Sequence, residues 1–115
     1  MNALRNKVQL IGRLGQDPKF MTFEEGKSKV NFSLATNESY RDREGEKVER
    51  TQWHEVVAWG SLSEVVDQYS KKGSEVAIEG RLHYRTYDDQ EGNTRYVTEI
   101  VVKDFLMLDK KTQQP

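Results

Sequence analysis

Residues Trp53–Tyr87 read WHEVVAWGSLSEVVDQYSKKGSEVAIEGRLHYRTY, a strand, a helix and a second strand in one run. In the first part Trp53, Glu55, Val57 and Trp59 fall on one face of a strand and His54, Val56 and Ala58 on the other, because successive strand side chains alternate. The period then changes: Leu62, Val65, Val66 and Tyr69 follow helical spacing. Ser61 with Glu64 three residues on matches a capping box. Lys71 and Lys72 suit the negative end of the helix dipole, and Gly73 suits the left-handed residue past a helix. Alternation returns with Val76, Ile78, Gly80, Leu82 and Tyr84 on one face and Ala77, Glu79, Arg81, His83, Arg85 and Tyr87 on the other.

Working outward, Asn6 to Leu14 alternates as a half-buried strand that Gly15, Asp17 and Pro18 end. A second strand places Val30, Phe32, Leu34 and Thr36 on one face and Asn31, Ser33, Ala35 and Asn37 on the other. The polar stretch Arg41 to Glu49, with Gly45, reads as a flexible hairpin loop. Asp88 to Thr94 is a polar turn whose adjacent carboxylates, Asp88 and Asp89, read as solvated turn residues. The last strand, from Arg95 to about Leu108, is apolar on both faces near Val101, Val102, Phe105 and Leu106, as expected where a strand closes a barrel or meets a neighbour. The order is three strands, a helix, then two strands, without repeats. It specifies an all-β fold, a five-stranded OB-fold Greek-key barrel with one α-helix between strands 3 and 4. One helix cannot supply the crossovers of a parallel α/β sheet.

The 115 residues suffice for one domain, 1–108, with a short polar C-terminal extension, 109–115. With 35% hydrophobic against 32% charged residues, association of subunits would help bury apolar surface. The net charge of -1 is an average, and a polyanion responds to the local field of one groove. The chain has no cysteine, no signal-like apolar segment at its start and no apolar run of bilayer length. A cytoplasmic protein without membrane contact is expected.

Enzymatic chemistry is not expected. His54 and His83 are the only histidines, nothing pairs them, and zinc-protease, phosphate-loop and dinucleotide motifs are missing, so no metal or cofactor is assigned. What the chain does offer is aromatic rings near cations, the combination that holds single-stranded nucleic acid by stacking and phosphate neutralisation. Trp53 and Trp59 share the non-core parity, Tyr87 follows Arg81 and Arg85 on one face, and Tyr40 stands beside Arg41 where a strand enters its loop. A lone ring in a small domain more often serves packing, but four so placed favour a groove.

The blocks NKVQLIGRLGQDP, FSLATNESYRD, TQWHEVVAWG, KKGSEVAIEGRL and RYVTEIVV, in this order from about Asn6 to Leu108, closely resemble the bacterial single-stranded DNA-binding protein (SSB) family. The resemblance implies a homotetramer of OB-folds, nucleoid-associated, that protects and organises single-stranded DNA without sequence specificity in replication, recombination and repair. Its stacking positions fall on Tyr40, Trp53, Trp59 and Tyr87, with tyrosine at Tyr40 and Tyr87 where the best-known members carry tryptophan. Lys7, Arg13, Asn31, Arg41, Lys72, Arg81 and Arg85 complete the expected DNA-binding set, and His54 falls on a subunit-interface position. Two departures stand out. Glu55 occupies a position where a basic residue is common, and the chain ends LDKKTQQP without the acidic tip through which relatives recruit partners, so recruitment by that route is not expected. Two other readings give the domain different work: a primosome-type OB-fold replication-restart adaptor, which would be a dimer, and a protein-recruiting OB module, whose rings would be interface packing.

Overall fold

A computed structural model describes residues 3–109 of the chain. All of the expected polar extension except Asp109 lies outside the described residues. The elements are β1 (Val8–Leu14), β2 (Lys19–Thr22), β3 (Ser28–Arg41), β4 (Lys47–Trp59), α1 (Ser61–Tyr69), β5 (Glu75–Asp88) and β6 (Thr94–Met107), with short 3-10 turns at Ala3–Asn6 and Glu24–Gly26. Hydrogen bonding runs β1-β5-β6-β4-β3-β2, and a β1–β3 pairing closes the ring. Five strands thus form the OB-fold barrel expected from the sequence, with α1 between its third and fourth strands, and β2 is an added edge strand on β3. Every pairing is antiparallel except β4 with β6, where Val56 meets Ile100 and Val57 meets Val101.

Alternation along β3 places Ser28, Val30, Phe32 and Leu34 inside. Val30, Phe32 and Leu34 meet Leu14, Val56, Ala58, Val66, Val76, Ile78, Ile100 and Val102 in one core. Full burial of such aliphatic side chains contributes roughly 1.5–3 kcal/mol each. Two glycines let strands close on one another: a Cβ on Gly12 would stand 2.3 Å from the Ala35 carbonyl oxygen, and one on Gly80 would stand 2.1 Å from that of Val101. Gly80 lies at the register shift between β5 and β6, where β6 carries one extra residue, Lys103.

The helix differs from the capping-box reading. Its N-cap is Gly60, at φ 67°, and Ser61 is already helical with no side-chain cap. Ser63 instead ties the helix start to β3: its hydroxyl donates to the Gly60 carbonyl at 2.5 Å and meets the Ser28 hydroxyl at 2.8 Å. The helix ends at Tyr69 with Ser70 as C-cap, so Lys71, Lys72 and the left-handed Gly73 belong to the turn that follows.

Beyond the barrel, Asn37–Arg41 pair only with Lys47–Thr51, and His83–Asp88 only with Thr94–Glu99, so β3–β4 and β5–β6 project as two-stranded arms. The loop expected at Arg41–Glu49 shrinks to the residues between β3 and β4 because Lys47, Val48 and Glu49 stay in the ladder. Both tips use the same device. Asp42 Oδ1 accepts from the amides of Glu44 and Glu46, and Asp89 Oδ1 from those of Glu91 and Asn93, while Gly45 and Gly92 both adopt φ 81°. Asp89 is therefore more than a solvated turn residue. The Asn93 amide, the Arg95 guanidinium and the Glu91 amide hold its carboxyl below the usual carboxylate range.

Candidate nucleic-acid interface

The outer face of the barrel carries the candidate residues. In antiparallel register a residue and its partner share a face, so Lys29 with Trp59, Asn31 with Val57, Ser33 with Glu55 and Ala35 with Trp53 all point outward. One row crosses the sheet as Lys19, Asn31, Val57, Val101 and Arg81. Trp53 is 62% exposed and Trp59 48%, values that a packed core ring does not reach. Trp53 lies over Gly15, whose missing side chain leaves room for the indole: a Cβ there would come within 2.5 Å of Trp53 Cζ3.

At the other end of β4 the structure assembles a cluster that alternation alone does not reveal. Phe23 stacks on Trp59 with centroids 6.1 Å apart and planes inclined by 26°. Lys29 Nζ stands 5.3 Å from the Trp59 centroid and 5.7 Å from that of Phe23. Next to them opens a depression of about 510 Å³ lined by Lys29, Trp59, Arg81, His83, Arg85, Glu99 and Val101. Arg81 has no ion pair among the described residues. Arg85 Nε donates to Glu99 at 3.0 Å and His83 Nδ1 to the same carboxylate at 3.2 Å. Burial pushes the Glu99 carboxyl up, but the hydrogen bonds and charges of Arg85 and His83 outweigh it, leaving it below the ordinary glutamate range. The sequence places no acid beside Arg85; the β5–β6 register brings one, opposite His83. Tyr87 lies farther out on the same face of β5, half-exposed.

Other candidates are placed differently. Tyr40 has the parity of Val30 and Leu34, so it projects from the face of the β3–β4 arm opposite Trp53, with Arg50 5.7 Å from its ring centroid. Tyr84, on the alternation face of Val76 and Ile78, leaves the core with its arm and is 69% exposed. Arg41 donates to the Gly45 carbonyl within its own tip. Lys7 pairs with Glu79 at 3.8 Å. Arg13 is in register with Ala35, at the margin of the Trp53 row, yet its guanidinium bonds the Gly73 carbonyl and approaches Glu75 and Asp109 at 4.0 Å. The Lys72 amide bonds Asp17, beside a second depression of about 270 Å³ that Lys19, Asn31 and Glu55 line. His54 Nε2 meets the Thr36 hydroxyl at 3.0 Å, partly buried. Phe23 and Lys29 are the residues sequence reasoning missed; Lys29 was findable by its alternation with Val30, whereas Phe23 sits before a turn where period carries no information.

A closed five-stranded barrel with a lone helix defines an OB-fold domain, here with an outer face of exposed rings among cations. Residues 5–108 match the Single-strand binding protein family, and the chain belongs to it. It is 51% identical over 107 residues to "Single-stranded DNA-binding protein 1" of Chlorobaculum tepidum, covering 92% of this chain and 66% of that protein. It is 47% identical over 110 residues to the protein of the same name from Xylella fastidiosa, covering 95% and 81%. Among solved structures, the Plasmodium falciparum SSB complex with ssDNA superposes with a TM-score of 0.84 at 35% identity, covering 95% of this chain and 100% of that one. A deletion variant of the Thermus aquaticus single-stranded DNA-binding protein shares the fold, with a TM-score of 0.80 at 24% identity over 92% of this chain and 51% of that one. No helix among the described residues is long and apolar enough to cross a membrane.

Proposed function

We infer that this chain binds single-stranded DNA without sequence preference and, as a homotetramer, protects and organises exposed strands during replication, recombination and repair. The observation that carries this reading is the outer face on which two large exposed indoles, Trp53 and Trp59, alternate along β4 beside the cations Lys29 and Arg81. Every base has a π face, so ring stacking holds DNA without reading its sequence, and cations take up the phosphates between stacked bases. Tyr87 extends the surface along the β5–β6 arm and Tyr40 offers a ring on the far side of the other arm. Arg85 reaches phosphate in competition with Glu99. The work is binding, without a catalytic step.

Assembly into a tetramer gives a role to a second surface. Ile11, Ala77 and Leu106 form a cross-strand row on the outer face, with Ile11 55% and Leu106 61% exposed. A second copy laid on this row would remove it from water, and His54 takes the interface role the family pattern implies. Light scattering should give four subunits; two would favour the primosome-type adaptor.

The direct test is binding of oligo(dT) by Trp53→Ala and Trp59→Ala, read by quenching of the remaining indole. Each loss should weaken binding by about 1–3 kcal/mol. Wild-type affinity in both folded variants would refute the DNA-binding face and leave the rings as protein-interface packing.

A further inference from the structure

We propose that Phe23 is a base-stacking residue in its own right, forming with Trp59 and Lys29 a two-base subsite in which Lys29 holds the phosphate between the bases. The proposal rests on the DNA-binding reading above and adds a residue to it. Three observations on this corner of the molecule carry it.

The first is that the pairing of the rings buries neither. Phe23 remains 44% and Trp59 48% exposed. An aromatic pair serving only the fold would be driven toward full burial, since the gain scales with apolar area removed from water. With centroids 6.1 Å apart and planes inclined by only 26°, the pair is offset, each ring keeping exposed surface. That separation suits adjacent bases of an extended strand, one on each ring.

The second is the placing of Lys29. Its ammonium stands within 6 Å of both centroids, 5.3 Å and 5.7 Å, so it bridges the two rings by cation–π attraction. Phe23, Trp59 and Lys29 have no carboxylate among these contacts. A phosphate joining bases stacked on the two rings would meet a charge already held there.

The third is preorganisation. Phe23 is pinned just before the Glu24–Gly26 turn by its amide, which donates to the Lys27 carbonyl at 2.7 Å. The turn requires positive φ at Glu25, 68°, as well as at Gly26, 75°. A glutamate held in the left-handed region is an unfavourable local conformation of the kind that clusters at binding sites. Trp59 is fixed from the other side by its register with Lys29 and by the Gly60 amide, which donates to the Ser28 carbonyl at 2.9 Å. The start of β3 therefore sets the spacing of both rings before any ligand arrives, which lowers the ordering cost of binding.

The test compares Phe23→Leu, Phe23→Tyr and Lys29→Gln with the wild type, Trp53→Ala and Trp59→Ala in oligo(dT) titrations, with melting curves as a check on folding. Leucine keeps apolar contact with Trp59 and removes the π face, whereas tyrosine keeps the face. Phe23→Leu should bind about fivefold more weakly or worse, the low end of one base stack, while Phe23→Tyr stays within about twofold of wild type, since it retains the ring. Lys29→Gln should make the dependence of log affinity on log salt shallower by roughly 0.7, one phosphate on a single strand. A second measurement needs no variant: photocrosslinking of bromodeoxyuridine oligonucleotides to the wild-type protein should yield an adduct on Phe23. Wild-type binding by Phe23→Leu with no adduct on Phe23, while Trp53→Ala binds weakly, overturns the subsite and leaves the DNA-binding face standing. Wild-type binding by Trp53→Ala and Trp59→Ala overturns both.

Discussion

Gly15→Ala offers a way to disturb the Trp53 platform without touching an aromatic residue. Gly15 has no positive φ, so alanine meets no backbone penalty of the left-handed kind, and the added methyl would stand 2.5 Å from Trp53 Cζ3. Ordinary contact begins near 3.4 Å, so the indole must retreat by 3.4 − 2.5 = 0.9 Å. Because Trp53 is 62% exposed, the ring can swing outward, and the fold should lose less than about 1 kcal/mol. A base-aromatic stack is worth about 1–3 kcal/mol, and a ring displaced by this distance should forfeit about a third to a half of it. Oligo(dT) titration should then show binding weaker by about 1 kcal/mol, or fivefold, with an altered Trp53 emission. The double variant supplies the control: once Trp53→Ala removes the ring, adding Gly15→Ala should change nothing further. A full Gly15→Ala effect in the Trp53→Ala background would refute the reasoning, because the methyl would then act on something other than the indole.

Four further outcomes are expected. Glu99→Gln releases Arg85, so binding at low salt should tighten and the salt slope steepen by roughly 0.7; Glu55→Arg, on the face of the two tryptophans, should shift affinity the same way. The Glu99 carboxyl is depressed in the fold, so the stability it contributes is full above the ordinary glutamate range and is lost as pH falls through its lowered value. The difference in melting temperature between wild type and Glu99→Gln should accordingly shrink as the medium is taken from neutral to about pH 3. Gly80→Ala would drive a methyl to 2.1 Å from the Val101 carbonyl oxygen, and since backbone cannot step aside as a side chain does, chemical denaturation should show a loss of about 2 kcal/mol or more.

The barrel was legible because its strands alternate over a buried core. Val30, Phe32 and Leu34 can satisfy only one face, and Leu62, Val65, Val66 and Tyr69 only a helix. Strand β2 escaped because Lys19–Thr22 is exposed throughout, leaving no period to read. The helix start escaped because the capping-box pattern at Ser61 and Glu64 competes with a Gly60 that adopts positive φ, and backbone geometry prevailed. In the site, the outward parity of Trp53, Trp59 and Tyr87 followed from local sequence. The pairing of Arg85 with Glu99 and of Phe23 with Trp59 depends on cross-strand register and on a turn, both set by contacts distant along the chain. Tyr40 shows the limit of position without parity: it stands at the correct end of its strand and on the opposite face.

The two arms have a consequence for how a bound strand leaves. Past the barrel each is a ribbon of mostly exposed residues that, among the described residues, pairs only with its own other half. Such segments open locally at little free-energy cost compared with a closed barrel. Tyr40 and Tyr87 sit on them, whereas Trp53 sits where β4 enters the closed ring and Trp59 at the far end of the same strand. Under the proposed function, grip on a strand would be graded from firm at the barrel wall to loose at the tips, with Tyr87 releasing before the tryptophans on its side of the sheet. An enzyme that needed the same nucleotides would then meet a series of small barriers, with the tips yielding first.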